Sequence, residues 1–199
     1  MRLDENYNFF NPKFGISYDF NPNSNIYFSF SKANREPSRS DYESNPKIKP
    51  EELNDFELGL RYNRKSIKFN INAYFMHYNE QLVLTGALDD VGTPIRTNSG
   101  ESYRLGLEIE SEFKIFDFIQ FETNLNASKN KNKEILSMVD GSIYNYGKTN
   151  ISFSPSIIFS NAIMFNPKDN LTFSLFSKFV GSQYMGNTDA VNSKLDSYF

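Results

Sequence analysis

The stretch from Leu53 to Tyr78 most constrains the fold, because apolar and polar residues alternate along two long arms. Every second residue is apolar: Phe56, Leu58, Leu60 and Tyr62, then, after the polar turn Asn63 to Ser66, Ile67, Phe69, Ile71, Ala73 and Phe75. A period of two is that of a β-strand with one apolar face. Each arm has about ten residues, more than the roughly 5 to 6 of a typical strand and close to the ~9 to 11 that cross a bilayer at a tilt. The stretch therefore predicts a hairpin of two strands long enough to span a membrane.

The composition excludes several classes of protein. The chain has 199 residues, of which 39% are hydrophobic and 16% aromatic, and its mean hydropathy is -0.55. No apolar run reaches the ~18 residues of a membrane helix, whereas a transmembrane strand shows only alternate residues to lipid and averages out as polar. The net charge of -3 offers no basic surface for nucleic acid. The chain has no cysteine, so disulfides and thiol chemistry are excluded.

The rest of the sequence repeats the alternation and predicts about eight strands in all. Outside the first hairpin these strands cover residues 14–20, 26–31, 103–113, 119–127, 150–165 and 171–179. Pro155 cannot donate to a sheet, so we expect an irregularity in the strand 150–165. Short turns follow Phe20, Tyr62, Phe113 and Phe165. Long connections are expected at residues 32–52, 83–101, 129–148 and 181–196.

This alternation of short and long connections is typical of outer-membrane barrels, which have short periplasmic turns and longer extracellular loops. We therefore expect an all-β fold, an antiparallel transmembrane β-barrel built as a meander, with its apolar parity facing lipid. The opposite parity would face a wide, wet lumen. It carries Asp19, Glu57, Arg61, Lys68, Arg104, Glu108, Glu110, Glu122 and Asn124.

Four stretches, in this order, resemble the C-terminal half of a TonB-dependent receptor barrel. They are SFSKANREPSRSDY, KPEELNDFELGLRYNRKSIKFNINAYFMHYNEQL, RTNSGESYRLGLEIES and FVGSQYMGNTDAVNSKLDSYF. The resemblance spans nearly the whole chain and implies an outer-membrane barrel of about 22 strands, plugged by an N-terminal domain. It further implies import of scarce nutrients such as metal chelates, vitamins or glycans, with energy passed through TonB.

The resemblance also sets expectations about completeness and partners. At about 25 residues per strand and connection, such a barrel needs roughly 550 residues. Residues 1–199 are therefore expected to form a partial receptor barrel domain that lacks the plug domain and the final strands. The opening MRLDENYNFF shows no signal peptide. Expected partners are outer-membrane lipid, a small nutrient ligand and, only through the missing plug, the TonB complex; no nucleic acid and no cofactor are expected.

The sequence supports neither catalysis nor a metal site, so we expect no enzyme activity. His77, the only histidine, has the apolar parity near a strand end and is expected at the membrane interface without a ligand role. Glu108, Glu110 and Glu112 are spaced i, i+2 and so repeat one strand face. We interpret them as a solvated wall rather than an acid pair or a cation site.

The first long connection holds the candidate ligand contacts. Arg35, Arg39 and Tyr42 there are suited to an anionic or sugar ligand, with an ordinary solvated loop as the alternative. Two other functions stay open. One is a freestanding eight-stranded outer-membrane barrel with a structural or adhesive role, and the other is a soluble β-sandwich that binds glycans.

Overall fold

The computed structural model describes residues 5–139 and 142–199. The strands are β1 (Lys13–Asn21), β2 (Ser24–Arg35), β3 (Glu51–Arg64), β4 (Ile67–Asn79), β5 (Leu82–Leu88), β6 (Pro94–Asn98), β7 (Ser102–Phe116), β8 (Ile119–Val139), β9 (Ser142–Asn150), β10 (Ile157–Lys168), β11 (Leu171–Val180), β12 (Gln183–Tyr184) and β13 (Lys194–Leu195). A short helix, α1 (Arg39–Ser44), and a 3-10 turn, Val191–Ser193, lie in two of the connections. Neither helix is long and apolar enough to cross a membrane, within the described residues.

One antiparallel sheet contains the long strands, in the order β1-β2-β3-β4-β7-β8-β10-β11, with β9 attached to β8. These eight strands of the described residues confirm the predicted meander. The hairpin predicted at Leu53 to Tyr78 is formed by β3 and β4, with Phe56 opposite Phe75 and Arg64 opposite Ile67 at the turn. Over the described residues β1 pairs only with β2, and the outer edge of β11 carries a single bridge, from Val180 to Tyr198, so the sheet is open.

The strand register places apolar side chains in rows across the sheet. One such row, called the middle row below, consists of Ile16, Phe28, Leu58, Ala73, Leu107, Ala127 and Ile157. The side chains of this row are exposed, with relative exposures of 60% for Ile16 and 52% for Leu58. On the same face but outside this row, Leu175 of β11 is 70% exposed. A β-sandwich would bury such a face under a second sheet. The apolar face is therefore the outside of this fold, as the sequence predicted for a barrel wall.

The buried apolar side chains lie mostly outside the wall. Tyr42, Ile48 and Leu82 form one cluster, with Tyr7 packed against it. These residues come from the connections at the end of the sheet where β2 ends and β3 begins. The long connections thus hold a small core of their own, while the wall strands expose their apolar residues.

All four long connections contain more regular structure than the sequence predicted. Residues 83–101 include most of the β5–β6 hairpin. The prediction of a polar connection at residues 129–148 is wrong, because β8 continues there and pairs with β9. At residues 129–134 both faces of this hairpin are polar, so the alternation that identifies a half-buried strand is missing there. The irregularity expected near Pro155 is confirmed, since the chain leaves β9 at Asn150, passes through Phe153 in a left-handed conformation (φ 51°), and enters β10 at Ile157.

Candidate functional site

The polar face of the sheet borders an open cavity of about 940 Å³ that extends from β3 to β11. Five of the predicted lumen residues line it: Arg61, Lys68, Glu110, Glu122 and Asn124. Since six strands contribute to one cavity, the sheet curls toward its polar face. Asp19 lies nearby and lines a second cavity of about 610 Å³ together with Arg61.

Tyrosines and glycines organise the polar wall. The Tyr27 ring lies across Gly59, its paired residue on β3, with the Arg61 guanidinium 4.1 Å from the ring centroid. The Tyr27 hydroxyl donates to Asn72 Oδ1 at 3.2 Å. A tyrosine lies over a strand glycine here because only glycine leaves room for the ring. The wall groups are therefore held in place by neighbouring strands.

The same packing of a tyrosine ring over a glycine recurs between β4 and β7. The Tyr74 ring lies across Gly106, its paired residue. Asn126 Nδ2 donates to the Tyr74 hydroxyl at 3.3 Å and to Glu108 Oε1 at 3.0 Å. Further along the face, Glu112 pairs with Lys68 at 3.0 Å. Glu108 and Glu112 thus bind different partners on the wall.

At the other end of the wall strands, Asp41 fixes α1 in place. Ser38 caps the helix and donates to Asp41 Oδ2 from both its backbone N–H (2.8 Å) and its Oγ (2.7 Å). Arg96 Nη1 of β6 lies 3.5 Å from Asp41 Oδ1, and Asp41 is only 2% exposed. Burial acts to raise the pKa of Asp41, but the Ser38 hydrogen bonds and the Arg96 charge outweigh it and lower the pKa below its ordinary value.

The three candidate ligand contacts occupy different environments. Arg35 is the last residue of β2 and lies opposite Glu51 in the register of β2 with β3. Arg39 opens α1 with its side chain 80% exposed, and its Nε lies 2.8 Å from Glu43 Oε1. Tyr42 is buried, and its hydroxyl is 2.5 Å from that of Tyr7. Burial, and then this hydrogen bond, raise the pKa of Tyr42. A ligand role for the three residues remains a prediction.

A cavity that the sequence did not reveal lies between the β5–β6 hairpin and β8. Its volume is about 500 Å³, and its lining mixes apolar, charged and amide side chains: Val83, Leu84, Glu101, Lys133, Ile135 and Asn187. Glu101 accepts a hydrogen bond from Lys133 and lies 3.3 Å from His77 Nε2, and these two partners, Lys133 first, lower its pKa. The lining comes from three separate connections, so no local motif could have indicated it.

Asparagines hold the last long connection against β8 and β9. Asn132 Nδ2 donates to Thr149 Oγ1 at 3.2 Å and to Asn187 Oδ1 at 3.4 Å. Asn187 in turn donates to the Leu84 carbonyl at 3.4 Å. Asn150 donates to both carboxylate oxygens of Asp189 from its N–H and its Nδ2, each at 2.9 Å. We call this set of contacts the asparagine clasp.

His77 lies where the sequence predicted, on the apolar face near the end of β4. Its ring stacks on Phe75 with centroids 6.4 Å apart. The described residues contain no group of three metal-ligating side chains that could hold an ion.

The comparisons with known proteins agree with this architecture. A family model described as "TonB dependent receptor-like, beta-barrel" matches residues 2–199. No curated protein matches the chain. Among solved structures, the chain is similar to the siderophore receptor PiuA from Acinetobacter baumannii, with 17% identity and a TM-score of 0.71, over 94% of this chain and 28% of that one.

Two further solved structures are similar at the level of the fold. The ferric enterobactin receptor PfeA from Pseudomonas aeruginosa has 13% identity and a TM-score of 0.70, over 94% of this chain and 31% of that one. The copper transporter OprC has 15% identity and a TM-score of 0.70, over 92% of this chain and 28% of that one. The chain thus spans less than a third of the length of each of these proteins.

Proposed function

The chain belongs to the TonB-dependent receptor β-barrel family, and from this premise we propose that it forms part of the wall of an outer-membrane receptor for a small nutrient. The observation that carries the proposal is the two-sided wall. One face exposes rows of apolar side chains, and the other borders an open cavity of about 940 Å³ whose lining residues are mostly polar. A wall with lipid on one side and water on the other needs both faces.

The open sheet supports the proposal that the chain is one segment of a larger barrel. Within the described residues β1 leaves one edge unpaired, and the outer edge of β11 is paired only at Val180, which bridges to Tyr198. Unpaired backbone groups cost several kcal/mol each in hydrocarbon, so a membrane sheet must close. In this proposal further strands of the same receptor close the sheet. The chain covers only 28% of PiuA and 31% of PfeA, which leaves room for such strands.

In this proposal the wall performs no covalent chemistry. The connections that carry α1 and the β5–β6 hairpin lie outside, and the turns at Lys65–Ser66 and Asp169–Asn170 lie in the periplasm. The ligand would contact the outer connections, where Arg39 is exposed and the cavity beside Lys133 offers charged and amide groups. A plug in the lumen would pass on the pull of TonB.

The substrate class suggested by the structural neighbours is a metal or its chelate. One neighbour is a copper transporter, and others are receptors for siderophores, including one in complex with enterobactin. Vitamins and glycans are the other candidate ligands for this chain, as the resemblance in the sequence implied.

The proposal is tested by deleting the gene that contains this segment and measuring uptake from a panel of ferric siderophores, copper, cobalamin and oligosaccharides. We expect uptake of one ligand to be lost, the protein to fractionate with the outer membrane, and the same uptake to stop when TonB is removed. Unchanged uptake across the panel, or uptake that persists without TonB, would contradict the proposal.

A further inference from the structure

Four lysines gather on the apolar face where β8 extends beyond the apolar rows. Lys129, Lys131 and Lys133 occupy alternate positions of β8 and continue the parity of Leu125 and Ala127. Lys148 of β9 joins them, because its Nζ lies 5.0 Å from the centroid of the Tyr103 ring. We call Lys129, Lys131, Lys133 and Lys148 the lysine cluster.

The register fixes the height of the cluster on the wall. Lys129 is paired with Leu105, which is paired with Phe75, so this lysine lies one row beyond the middle row. Lys131 is paired with Tyr103, which is paired with His77, one row further out. A tyrosine beside the last apolar row is typical of the membrane interface. Lys129 therefore lies in the last apolar row, from which its long side chain can reach the head groups, and Lys131 lies one row further out.

Most of this positive charge has no internal partner. Lys133 pairs with Glu101, but within the described residues Lys129, Lys131 and Lys148 form no ion pair with a carboxylate. Lys129 and Lys148 are exposed and Lys131 is partly exposed. Like charges held close together on one sheet face repel one another, and the apolar rows beside them weaken the screening by water. An external anion at this height would relieve the repulsion.

We propose that the lysine cluster binds the phosphate of an anionic lipid in the outer leaflet; this inference rests on the proposed function for placing the apolar face in lipid. Charge complementarity identifies the head group, since lysine ammonium groups bind phosphate as point charges. Continuity with the apolar rows identifies a lipid rather than a free anion. The acyl chains would lie along Leu105 and Leu107 while the phosphate meets Lys129 and Lys131.

The test uses the whole receptor that contains this segment, purified and placed in nanodiscs of phosphatidylcholine with increasing phosphatidic acid. Binding is measured by displacement of a fluorescent phosphatidic acid. Replacing both Lys129 and Lys131 with glutamine should weaken binding about 25-fold, or about fivefold for each lysine near the surface. Arginine at both positions should keep the wild-type affinity, because the charge remains.

Lys65→Gln with Lys168→Gln is the matched control, because it removes two exposed lysines, one in the β3–β4 turn and one at the end of β10, at the opposite end of the wall. We expect this control to bind like the wild type. Equal affinity in the Lys129 and Lys131 glutamine variant would overturn the inference, as would displacement of the lipid by millimolar inorganic phosphate. Membrane insertion is scored first by heat-modifiability, so a receptor that never inserts contradicts the proposed function, whereas insertion without a lysine effect contradicts only the lipid site.

Discussion

The ring of Tyr27 occupies the space in front of Gly59, so these two paired residues fill one position of the wall between them. A Cβ built on Gly59 would overlap the ring atoms Cζ, Cε1 and Oη of Tyr27. The position of the ring in turn supports the Arg61 stack and the hydrogen bond to Asn72. Gly59 is therefore a packing requirement of the polar wall.

The Gly59→Ala substitution should displace the Tyr27 ring and destabilise the barrel by about 1 to 3 kcal/mol, the usual cost of overpacking. Unfolding titrations in lipid would measure the change. Gly15→Ala is the control, because its Cβ would meet only the Phe28 carbonyl oxygen at 3.8 Å. If Tyr27→Ala did not reduce the cost of Gly59→Ala, the steric explanation would be wrong.

Leu107 and Glu108 test the assignment of the two faces. Leu107→Lys places a charge in lipid and should cost ~2 to 4 kcal/mol near the midplane. Glu108→Lys should cost about 1 kcal/mol at most, because this exposed side chain lies on the wet face and loses only the hydrogen bond from Asn126. Folding titrations in lipid on the complete receptor would show the difference, and equal costs at the two sites would refute the assignment.

A polar row interrupts the apolar face on its β11 side. Ser111, Thr123, Asn161 and Ser177 are paired in sequence across β7, β8, β10 and β11. Asn161 Nδ2 donates to Ser177 Oγ at 3.3 Å, which satisfies only part of the amide. In lipid an incompletely bonded amide is unfavourable, so Asn161→Leu should stabilise the barrel by about 1 kcal/mol.

Asn126→Leu on the polar face is the matched substitution for Asn161→Leu. It should destabilise the wall, since Tyr74 and Glu108 would lose the amide that donates to both. Opposite signs in the same lipid titration are expected. A loss of stability at both sites would argue against lipid contact at Asn161.

The position of α1 should depend on pH through Asp41. Its pKa is lowered in the folded protein, because the Ser38 hydrogen bonds and Arg96 outweigh burial. This contribution to stability is present above the unfolded pKa of about 3.9 and is lost as the pH falls through the lower, folded value. The protection of residues 36–50 against hydrogen exchange, relative to the intrinsic rate at each pH, should therefore fall in acid, and Asp41→Asn should lower the protection in the same way at pH 7.

Glu43→Gln provides the comparison for Asp41→Asn. It removes the exposed ion pair with Arg39 from the same helix, and exposed pairs contribute little to stability. Its exchange at pH 7 should match that of the wild type. Equal acceleration in both variants would show that the carboxylate of Asp41 has no special role.

Residues 1–199 alone should not fold into a closed pore. The two open edges would have to pair with each other, and an eight-stranded barrel leaves an interior just wide enough for packed side chains. Arg61, Glu108 and Glu110 would then be packed without water, which is costly for unpaired charges. Aggregation, or heterogeneous particles in detergent, is expected in size-exclusion chromatography. A monodisperse, heat-modifiable monomer in lipid would instead favour the freestanding small barrel.

The wall was predictable because its two faces meet different solvents. Leu107 and Glu108 show this, since neighbouring residues of opposite character mark a strand with one apolar face. The β8–β9 hairpin was not predictable, because Asn132 is buried among polar groups on one face while Lys131 lies on the other. Strands with two polar faces lack the signal on which the prediction depends.

The candidate site was less accessible to sequence reasoning. Tyr42 was identified as a possible ligand contact, yet its burial depends on Leu82 and Tyr7, which belong to other connections. The cavity beside Lys133 likewise needs the asparagine clasp to bring Asn187 against β8. Contacts between distant connections have no periodicity, so only the structure reveals them.

The alternation of apolar and polar residues also determines how polar the chain is before it folds. As an unfolded chain it has a mean hydropathy of -0.55 and so resembles a water-soluble protein. The greasy outer surface appears only when pairing lines up Ile16, Leu58 and Leu107 across the strands. The unfolded chain is therefore polar enough to stay in water, and the apolar surface that binds lipid forms only when its strands pair.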